Sequence, residues 1–243
     1  MRVEGPIPCV GQPAVAVIPA FRPTSTLCHV VDQLRGRGFG VVVVDDGSGP
    51  RFAEIFDRVE TMAPLLRHHT NQGKGAGLRT GLEWVRGHCP LETMVVTVDA
   101  DGQHLPDDVV GVCALGLTSI DPGSQGLVLG VRFDGPDTPR RSRFGHDVAR
   151  MAFKAATGRY LVDTQTGLRA FRASMVPELL RIPGDRFEYE MNQLVILAKQ
   201  GVPIHQVRIT TVYEPDAGSH YRGLIDSFRL TRDFLRYARG WAR

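Results

Sequence analysis

The sequence predicts an α/β fold in which helices flank a mainly parallel central sheet. Short apolar segments alternate with longer helical segments through the first half of the chain, an order that is typical of open α/β sheets. Most of the apolar segments are rich in valine or isoleucine and nearly unbroken, as expected for strands that are buried on both faces. The composition agrees, because 42% hydrophobic and 23% charged residues with a net charge of +3 argue against intrinsic disorder.

Five strands and four helices are predicted up to residue 131, and they alternate along the chain. The strands are Ala14–Ile18, Val41–Val44, Leu65–His69, Met94–Val98 and Leu127–Val131. The helices are Thr24–Arg37, Arg51–Met62, Gly75–Gly87 and Pro106–Leu117.

The second half of the chain departs from this alternation. Its predicted elements are the helices Arg141–Thr157 and Phe187–Lys199, the strand Val202–Tyr213 and the helix Gly223–Arg243. Because no long linker separates the two halves, we expect one domain at residues 14–222. A flexible lead rich in proline and glycine (residues 1–13) is expected before it, and a basic amphipathic helix (residues 223–243) after it.

Polar and glycine-rich residues follow all five of the first strands. The segments are Pro19-Ala20-Phe21, Asp45-Asp46-Gly47-Ser48, Asn71-Gln72-Gly73-Lys74-Gly75, Asp99 to His104 and Arg132-Phe133. Ligands of open α/β sheets bind beyond the carboxyl ends of the strands. The coincidence therefore predicts a binding site at this edge of the sheet.

Two carboxylates, Asp99 and Asp101, follow the fourth strand with one residue between them. Both can reach one divalent cation if the chain turns there, and Mg²⁺ or Mn²⁺ prefers oxygen ligands and substrate phosphates. Gln103 offers a further oxygen. A polar turn with its corner at Asp101-Gly102 is the alternative, but the position directly after a buried strand favours the metal site.

Asp45 and Asp46 follow the second strand, where a carboxylate can accept hydrogen bonds from a nucleobase or a ribose. This position predicts a contact with a nucleoside. The alternative is a helix N-cap, which Asp46 or Ser48 could provide, and the two roles are compatible.

Lys74 is one of three lysines in a chain with 26 arginines, and it lies in the glycine-rich segment 73–77. Small residues let backbone N–H groups approach a phosphate, and a lysine adds a charge. The spacing matches neither a Walker A loop nor a GxGxxG motif. A plain turn that opens a helix explains the segment equally well.

An arginine cluster follows the fifth strand and comprises Arg132, Arg140, Arg141 and Arg143. Arginine binds phosphate bidentately, and the position at a strand end favours that role over a solvated basic loop. Asp163 lies in a polar turn further along the chain. Glu188 and Glu190 open a predicted helix, where carboxylates also suit the helix dipole.

Five arginines at alternating spacings of three and four share one face of the last predicted helix; they are Arg229, Arg232, Arg236, Arg239 and Arg243. An apolar stripe beside them is typical of a membrane-surface helix, and a solvated helix packed on the core is an equal alternative. No recognised motif indicates nucleic-acid binding.

The sequence also bears on where the protein is located. No apolar run approaches the roughly 18–20 residues that cross a bilayer. The N-terminus lacks the apolar region of a signal peptide. We therefore expect a cytoplasmic protein, with peripheral contact at the inner face of the membrane as a further expectation.

Six segments in their order along the chain resemble the family 2 glycosyltransferases of the GT-A fold; they are VIPAF, VVVVDDGS, NQGKGAGLRTG, VVTVDADGQH, DTQTGLRAF and FEYEMNQLVILAKQG. Within that family the chain looks most like the polyprenyl-phosphate (dolichol-phosphate) mannosyl and glucosyl synthases. The resemblance runs from about Val15 to Tyr221. It implies a nucleotide-sugar donor, a divalent cation (Mg²⁺ or Mn²⁺) and inversion at the anomeric carbon.

The resemblance and the residue patterns described above together predict roles for individual residues. The donor is expected to contact Pro19, Ala20, Asp45, Asp46, Lys74, Asp99 and Arg132. The metal is expected on Asp99, Asp101 and Gln103, and the acceptor or its phosphate on Arg140, Arg143 and His220. Asp101, Arg132 and Asp163 are the expected catalytic residues, with Asp163 either near the reacting sugar or orienting an arginine.

The expected function is metal-dependent transfer of a hexose from a donor of the GDP-mannose or UDP-glucose type to a polyprenyl phosphate. Transfer to a soluble hydroxyl acceptor, a saccharide or a natural product, is the alternative. That reaction needs a general base, for which Asp163 and Glu190 are the candidates. Sugar nucleotidyl transfer is a weaker alternative, because VIPAFRPTS lacks a triphosphate-binding signature.

Overall fold

The computed structural model describes residues 14–133 and 140–210, and for residues 140–144 it describes the backbone alone. The strands are β1 (Ala14–Ala20), β2 (Gly40–Asp45), β3 (Leu65–Arg67), β4 (Met94–Thr97), β5 (Leu127–Val131), β6 (Arg169–Arg172) and β7 (Ile204–Arg208). The helices are α1 (Thr26–Gly36), α2 (Ala53–Glu60), α3 (Lys74–His88), α4 (Pro106–Ser119), α5 (Arg140–Thr157), α6 (Val176–Leu179) and α7 (Glu188–Lys199). Short 3₁₀ turns at Pro50–Phe52 and Ala173–Met175 precede α2 and α6.

The strands form one mixed sheet in the order β3-β2-β1-β4-β6-β5-β7. The pairs β3–β2, β2–β1 and β1–β4 are parallel, and β5 is parallel to β7. β6 runs antiparallel to both β4 and β5, so those two strands point the same way. The carboxyl ends of every strand except β6 therefore lie at one edge, and the predicted α/β class with a mainly parallel sheet is confirmed.

β6 is absent from the predicted strands because its sequence, Arg-Ala-Phe-Arg, does not look like a buried strand. Both arginines are nonetheless buried, Arg169 to 1% and Arg172 to 5% exposure. The Arg172 guanidinium donates to the Ile120 carbonyl at 2.6 and 3.0 Å. Burial of an arginine requires such acceptors, and they come from segments distant in sequence. A local pattern cannot reveal them.

α3 packs closely against β1 because two of its glycines face the sheet. A Cβ atom at Gly77 would lie 3.2 Å from the Pro19 side chain, and one at Gly81 would lie 2.4 Å from that of Val17. The close contact brings the first residue of α3 to the carboxyl edge of the sheet. α1 and α4 cover the opposite face with buried side chains that include Leu27, Val31, Val109 and Val112.

Four sequence predictions concern residues outside the described ranges. They are the lead at residues 1–13, the basic helix at 223–243, the last three residues (211–213) of the strand predicted at Val202–Tyr213, and the acceptor contact of His220. The extent of the domain at residues 14–222 also stays a prediction. Within residues 14–133 and 140–210, no helix is both long and apolar enough to cross a membrane.

Candidate active site

The carboxyl edge of the sheet brings together site residues that are far apart in sequence. Asp45 ends β2, Asp99 follows β4 by two residues, Arg132 follows β5 directly and Lys74 begins α3. Ion pairs link these positions to two later segments, the polar turn at residues 163–167 and the N-terminus of α7.

The Asp46 carboxylate organises the turn that leads into α3. Asp46 is buried, with 2% of its surface exposed. Four protein nitrogens lie 2.7–2.8 Å from its two oxygens, namely His68 Nδ1, Asn71 Nδ2 and the backbone nitrogens of Gln72 and Gly73. Because both oxygens are occupied, this carboxylate fixes the backbone that positions Lys74. The predicted contact of Asp46 with a nucleoside stays a prediction.

Asp45 shapes the turn that follows β2. Its Oδ1 accepts a hydrogen bond from the Ser48 N–H at 2.9 Å, and the Ser48 Oγ accepts one from the Arg22 N–H at 2.8 Å. Arg22 has a φ of +50°, a left-handed conformation that residues other than glycine adopt infrequently. The 3₁₀ turn at Pro50–Phe52 has no side-chain cap, so the cap offered as an alternative for Asp46 or Ser48 is not formed there.

The glycines of segment 73–77 permit close packing around the start of α3. Gly73 has a φ of +108°, which favours glycine. A Cβ atom at Gly75 would lie 2.6 Å from that of Tyr189 in α7, and one at Gly77 would contact Pro19 in β1. The segment therefore forms a turn that opens a helix. The predicted contact of this segment with a phosphate stays a prediction.

Lys74 bridges two carboxylates from different parts of the site. Its Nζ lies 2.7 Å from Asp99 Oδ1 and 2.8 Å from Glu190 Oε2. Burial alone would lower the pKa of Lys74, but the charges of Asp99 and Glu190 outweigh burial and raise it. Burial would likewise raise the pKa of Asp99, but the charge and hydrogen bond of Lys74, together with His104 and Arg132, outweigh burial and hold that pKa well below its usual range. Lys74 and Asp99 are therefore both charged at neutral pH.

Asp101 is exposed beside Asp99 in a polar turn. Its Oδ1 accepts a hydrogen bond from the Gln103 N–H at 3.0 Å. Partial desolvation of the carboxyl group within the turn and the neighbouring Asp99 charge raise the pKa of Asp101. Such a raised pKa is expected of two carboxylates close enough to repel each other, and a shared cation relieves that repulsion. The oxygen ligands suit Mg²⁺ or Mn²⁺.

The described residues contain no group of three or more His, Cys, Asp or Glu side chains arranged to hold a metal ion. A cation on Asp99 and Asp101 would therefore draw its further ligands from Gln103, water or a substrate phosphate. The predicted metal role of these three residues stays a prediction, and their chemistry fits it.

His104 supports the backbone of Asp99. It is buried, and its Nδ1 accepts a hydrogen bond from the Asp99 N–H at 3.2 Å, while its Nε2 lies 3.7 Å from Asp99 Oδ2. Burial lowers the pKa of His104 to about 4. The imidazole is therefore neutral near pH 7. His104 is not among the site residues predicted from the sequence, although its place at the end of DADGQH was a signal.

The polar turn at residues 163–167 contacts both Arg132 and Asp99. Arg132 Nε lies 3.1 Å from Asp163 Oδ2, and the other oxygen of Asp163 accepts a hydrogen bond from the Gln165 N–H at 2.9 Å. A Cβ atom at Gly167 would lie 2.6 Å from Asp99 Oδ2, so only glycine fits there. Asp163 thus contacts an arginine, and its expected position near the reacting sugar stays a prediction.

A buried arginine, Arg169, lies behind this edge and was missed by sequence analysis. Its Nη1 donates to the Glu190 carbonyl at 2.6 Å and to Gln193 Oε1 at 3.0 Å. Arg169 Nη2 and Glu190 Oε1 are buried without a hydrogen-bond partner among the described residues. Burial lowers the pKa of Arg169, whereas the charges of Glu190, Asp163 and Asp99 raise it. The cation thus offsets part of the negative charge of the site.

The remaining predicted residues are placed only in part. Pro19 and Ala20 are buried in β1, and the Ala20 carbonyl accepts a hydrogen bond from the Asp46 N–H at 2.8 Å. Arg140 and Arg143 lie in α5, where the structure describes the backbone alone. Their contacts with the donor or the acceptor stay predictions.

Comparison with known proteins gives a family match across the first half of the chain. Residues 15–118 match the model described as glycosyl transferase family 2. This range runs from β1 into α4 and includes Asp46, Lys74, Asp99 and Asp101.

Two curated relatives extend the similarity beyond that range. A UDP-N-acetylglucosamine–dolichyl-phosphate N-acetylglucosaminyltransferase of Methanococcus voltae is 28% identical over 218 residues, which cover 81% of this chain and 84% of the relative. An undecaprenyl-phosphate 4-deoxy-4-formamido-L-arabinose transferase of Pseudomonas aeruginosa is 29% identical over 176 residues, which cover 68% of this chain and 48% of the relative. The match to the second relative thus spans about half of its length.

A solved structure agrees with the fold. The crystal structure of glucosyl-3-phosphoglycerate synthase from M. tuberculosis superposes with a TM-score of 0.62 at 19% identity, covering 95% of this chain and 82% of the other. The likeness supports the GT-A arrangement of nucleotide-sugar transferases and says nothing of the substrate. Together with the two relatives and the match of residues 15–118 to glycosyl transferase family 2, it leads to one conclusion: the chain is a glycosyltransferase of the GT-A fold.

Proposed function

We propose that the protein transfers a hexose from a nucleotide sugar to a polyprenyl phosphate, in a metal-dependent reaction that inverts the anomeric carbon. The observation that carries the proposal is that each of the two candidate general bases forms an ion pair. Asp163 is paired with Arg132, and Glu190 is paired with Lys74.

The choice of acceptor follows from these pairs. A hydroxyl acceptor must lose a proton as it attacks, so it needs a carboxylate or an imidazole within hydrogen-bond reach. Here Asp163 is bound by a guanidinium and by the Gln165 N–H, and the oxygen of Glu190 that does not contact Lys74 is buried. A phosphate monoester is already ionised near neutral pH, since its second pKa is ≈ 6, and it needs no base.

The names of the relatives support the same class of acceptor. The archaeal relative is named for transfer to dolichyl phosphate, and the bacterial relative for transfer of a substituted arabinose to undecaprenyl phosphate. Both acceptors are phosphate monoesters of long polyprenols. The archaeal relative matches over most of both chains, which makes it the stronger support.

The residues at the sheet edge would have different roles in the reaction. Asp99 and Asp101, with Gln103, would hold the divalent cation, which when bound neutralises charge on the diphosphate leaving group. Arg132, oriented by Asp163, offers its guanidinium to a phosphate of the donor or the acceptor. An oxygen of the acceptor phosphate forms the new bond to the anomeric carbon, while the bond to the nucleoside diphosphate breaks and its electron pair leaves with the diphosphate.

A transfer assay tests the proposal. The protein is incubated with a short polyprenyl phosphate in detergent and with UDP-glucose, UDP-N-acetylglucosamine or GDP-mannose, in Mn²⁺, Mg²⁺ or EDTA, and products are identified by mass spectrometry. We expect a glycosyl phospholipid from one of these donors, and no product in EDTA.

Two variants accompany the assay. Asp101→Ala should abolish transfer while leaving the circular dichroism spectrum unchanged, because the position is exposed and lies in a turn. Asp107→Ala, which removes an exposed carboxylate on α4, should keep full activity. An active Asp101→Ala enzyme would overturn the metal assignment, and no transfer from any donor would overturn the proposed function.

A further inference from the structure

The ammonium group of Lys74 contacts the carboxylate that is expected to hold the metal. It lies 2.7 Å from Asp99 Oδ1 and 2.8 Å from Glu190 Oε2. We propose that Lys74 is an internal counter-cation that occupies Asp99 in the metal-free enzyme and moves to Glu190 alone when a divalent cation binds. The inference rests on the proposed metal role of Asp99, and it adds a residue that sets the metal affinity.

Competition at Asp99 follows from the crowding around its carboxylate. Lys74 occupies one oxygen, while the other faces the backbone at Gly167 and lies 3.7 Å from His104 Nε2. A divalent cation on Asp99 would therefore lie next to the ammonium group of Lys74. Two cations a few ångströms apart repel strongly in a partly buried site, so one must move before the other can bind.

Glu190 supplies the place to which Lys74 can move. One of its oxygens already contacts Lys74, and its other oxygen is buried without a partner among the described residues. Lysine has a flexible stem and three donors, so a rotation lets it contact both oxygens of Glu190. Glu190 is then never left as an unpaired buried charge, which would be costly.

The exchange couples metal binding to donor binding. A metal ion that binds without a nucleotide must displace Lys74 from Asp99. The displaced ammonium group then has only the carboxylate of Glu190 as a partner. A nucleoside diphosphate brings negatively charged oxygens that bind the cation and lower its repulsion with the ammonium group of Lys74, which stays paired with Glu190. Metal and nucleotide should therefore raise each other's affinity, and by the same factor.

Binding of Mn²⁺ alone, measured by electron paramagnetic resonance and calorimetry, tests the inference without any turnover. Removing the lysine charge in Lys74→Gln should make Mn²⁺ bind at least about 5-fold tighter, because a charge-assisted contact at Asp99 no longer competes. Removing the second partner in Glu190→Gln should make Mn²⁺ bind weaker, because Lys74 then pairs with Asp99 alone. A merely structural role of the three residues would weaken binding in both variants.

Two control variants separate contact from general electrostatics. Arg132→Gln removes a positive charge that lies at the same edge of the sheet but does not contact Asp99. This variant should change the Mn²⁺ affinity less than Lys74→Gln does. Lys199→Gln removes an exposed charge at the end of α7 and should change nothing. With UDP or GDP present, the gain in Mn²⁺ affinity should be smaller in Lys74→Gln than in the unmodified protein.

Each outcome bears on the inference. Mn²⁺ binding by folded Lys74→Gln that is equal to or weaker than that of the unmodified protein overturns the inference. A gain in Mn²⁺ affinity no larger than that of Arg132→Gln overturns it too. Both outcomes leave the proposed function standing. If Lys74→Gln fails to fold, Glu190→Gln decides, and unchanged or tighter binding there overturns the inference. If no form of the protein binds Mn²⁺ with UDP or GDP present, the metal-dependent function fails as well.

Discussion

Arg132 at the end of β5 and Asp163 in the turn before β6 form an ion pair, with Nε and Oδ2 3.1 Å apart. Asp163 is 8% exposed and its second oxygen is bound by the Gln165 N–H, so the carboxylate has little freedom. Arg132 remains partly exposed at the sheet edge. The pair therefore presents a guanidinium of fixed orientation where phosphates are expected, as a preorganised site requires.

Asp163→Asn should lower kcat about 10- to 100-fold, with a smaller effect on the KM of the donor, because the guanidinium keeps its charge but loses its orientation. Steady-state kinetics of sugar transfer checks this. Asp147→Asn is the matched control, since it breaks an ion pair with Arg150 on α5 in which the carboxylate is exposed. A kcat for Asp163→Asn equal to that of the control would refute an orienting role.

Asp46→Asn should destabilise the fold by about 2–4 kcal/mol, because it puts an amide where a buried carboxylate receives several donors. Urea unfolding followed by circular dichroism measures the change. Asp57→Asn removes an exposed partner of Arg67 and should stay within about 0.5 kcal/mol of the unmodified protein. Equal stabilities of the two variants would show that the Asp46 contacts contribute little.

The stability should rise with pH between about 4 and 6.5 because of His104. Burial lowers the pKa of His104 to about 4 in the folded protein, from an ordinary value of 6.5. In that window the unfolded chain takes up a proton that the folded protein does not, so stability is lost as the pH falls. The slope from this one group is at most about 1.4 kcal/mol per pH unit.

Urea unfolding at a series of pH values from 4.5 to 7 tests the role of His104. His104→Asn keeps an acceptor near Nδ1 for the Asp99 N–H but cannot take up the proton, so its stability should vary less with pH. An unchanged slope in this variant would assign the pH dependence to other groups.

Much of the fold could be predicted from the sequence, because strands β1, β2, β4 and β5 are buried apolar runs that need no long-range information. The positions of α3, α4, α5 and α7 also agree with the sequence to within two residues. β6 was missed because its arginines are paired with carbonyls from elsewhere in the chain, such as that of Ile120.

The site could be predicted less completely than the fold. The rule that ligands bind at the carboxyl ends of strands correctly brought Asp99 and Arg132 to one edge. It could not pair Lys74 with Glu190, because that contact joins the starts of two helices more than 100 residues apart. Arg169 acts through buried contacts with α7 that no local motif encodes, and the DADGQH motif contains His104 without showing that it supports the Asp99 backbone.

The C-terminal arginines give a prediction that rests on the sequence alone. Changing Arg232, Arg236 and Arg239 to Gln should weaken binding to anionic vesicles about 100-fold at low salt, since each arginine near such a surface contributes about 1 kcal/mol. Vesicle cosedimentation measures this. Changing Arg35, Arg58 and Arg181, which are exposed elsewhere, should have no such effect. Equal losses in both triple variants would indicate charge alone rather than a specific surface.

The central claim is that the acceptor is a phosphate, and the most direct measurement compares a polyprenyl phosphate with the matching polyprenol. Both are assayed in the same detergent with the active donor and Mn²⁺, and kcat/KM is determined for each. We expect a preference for the phosphate of at least about 10³-fold, because sites built for a polar group strongly reject analogues that lack it. Comparable transfer to the polyprenol, or faster transfer to a soluble hydroxyl acceptor, would contradict the account.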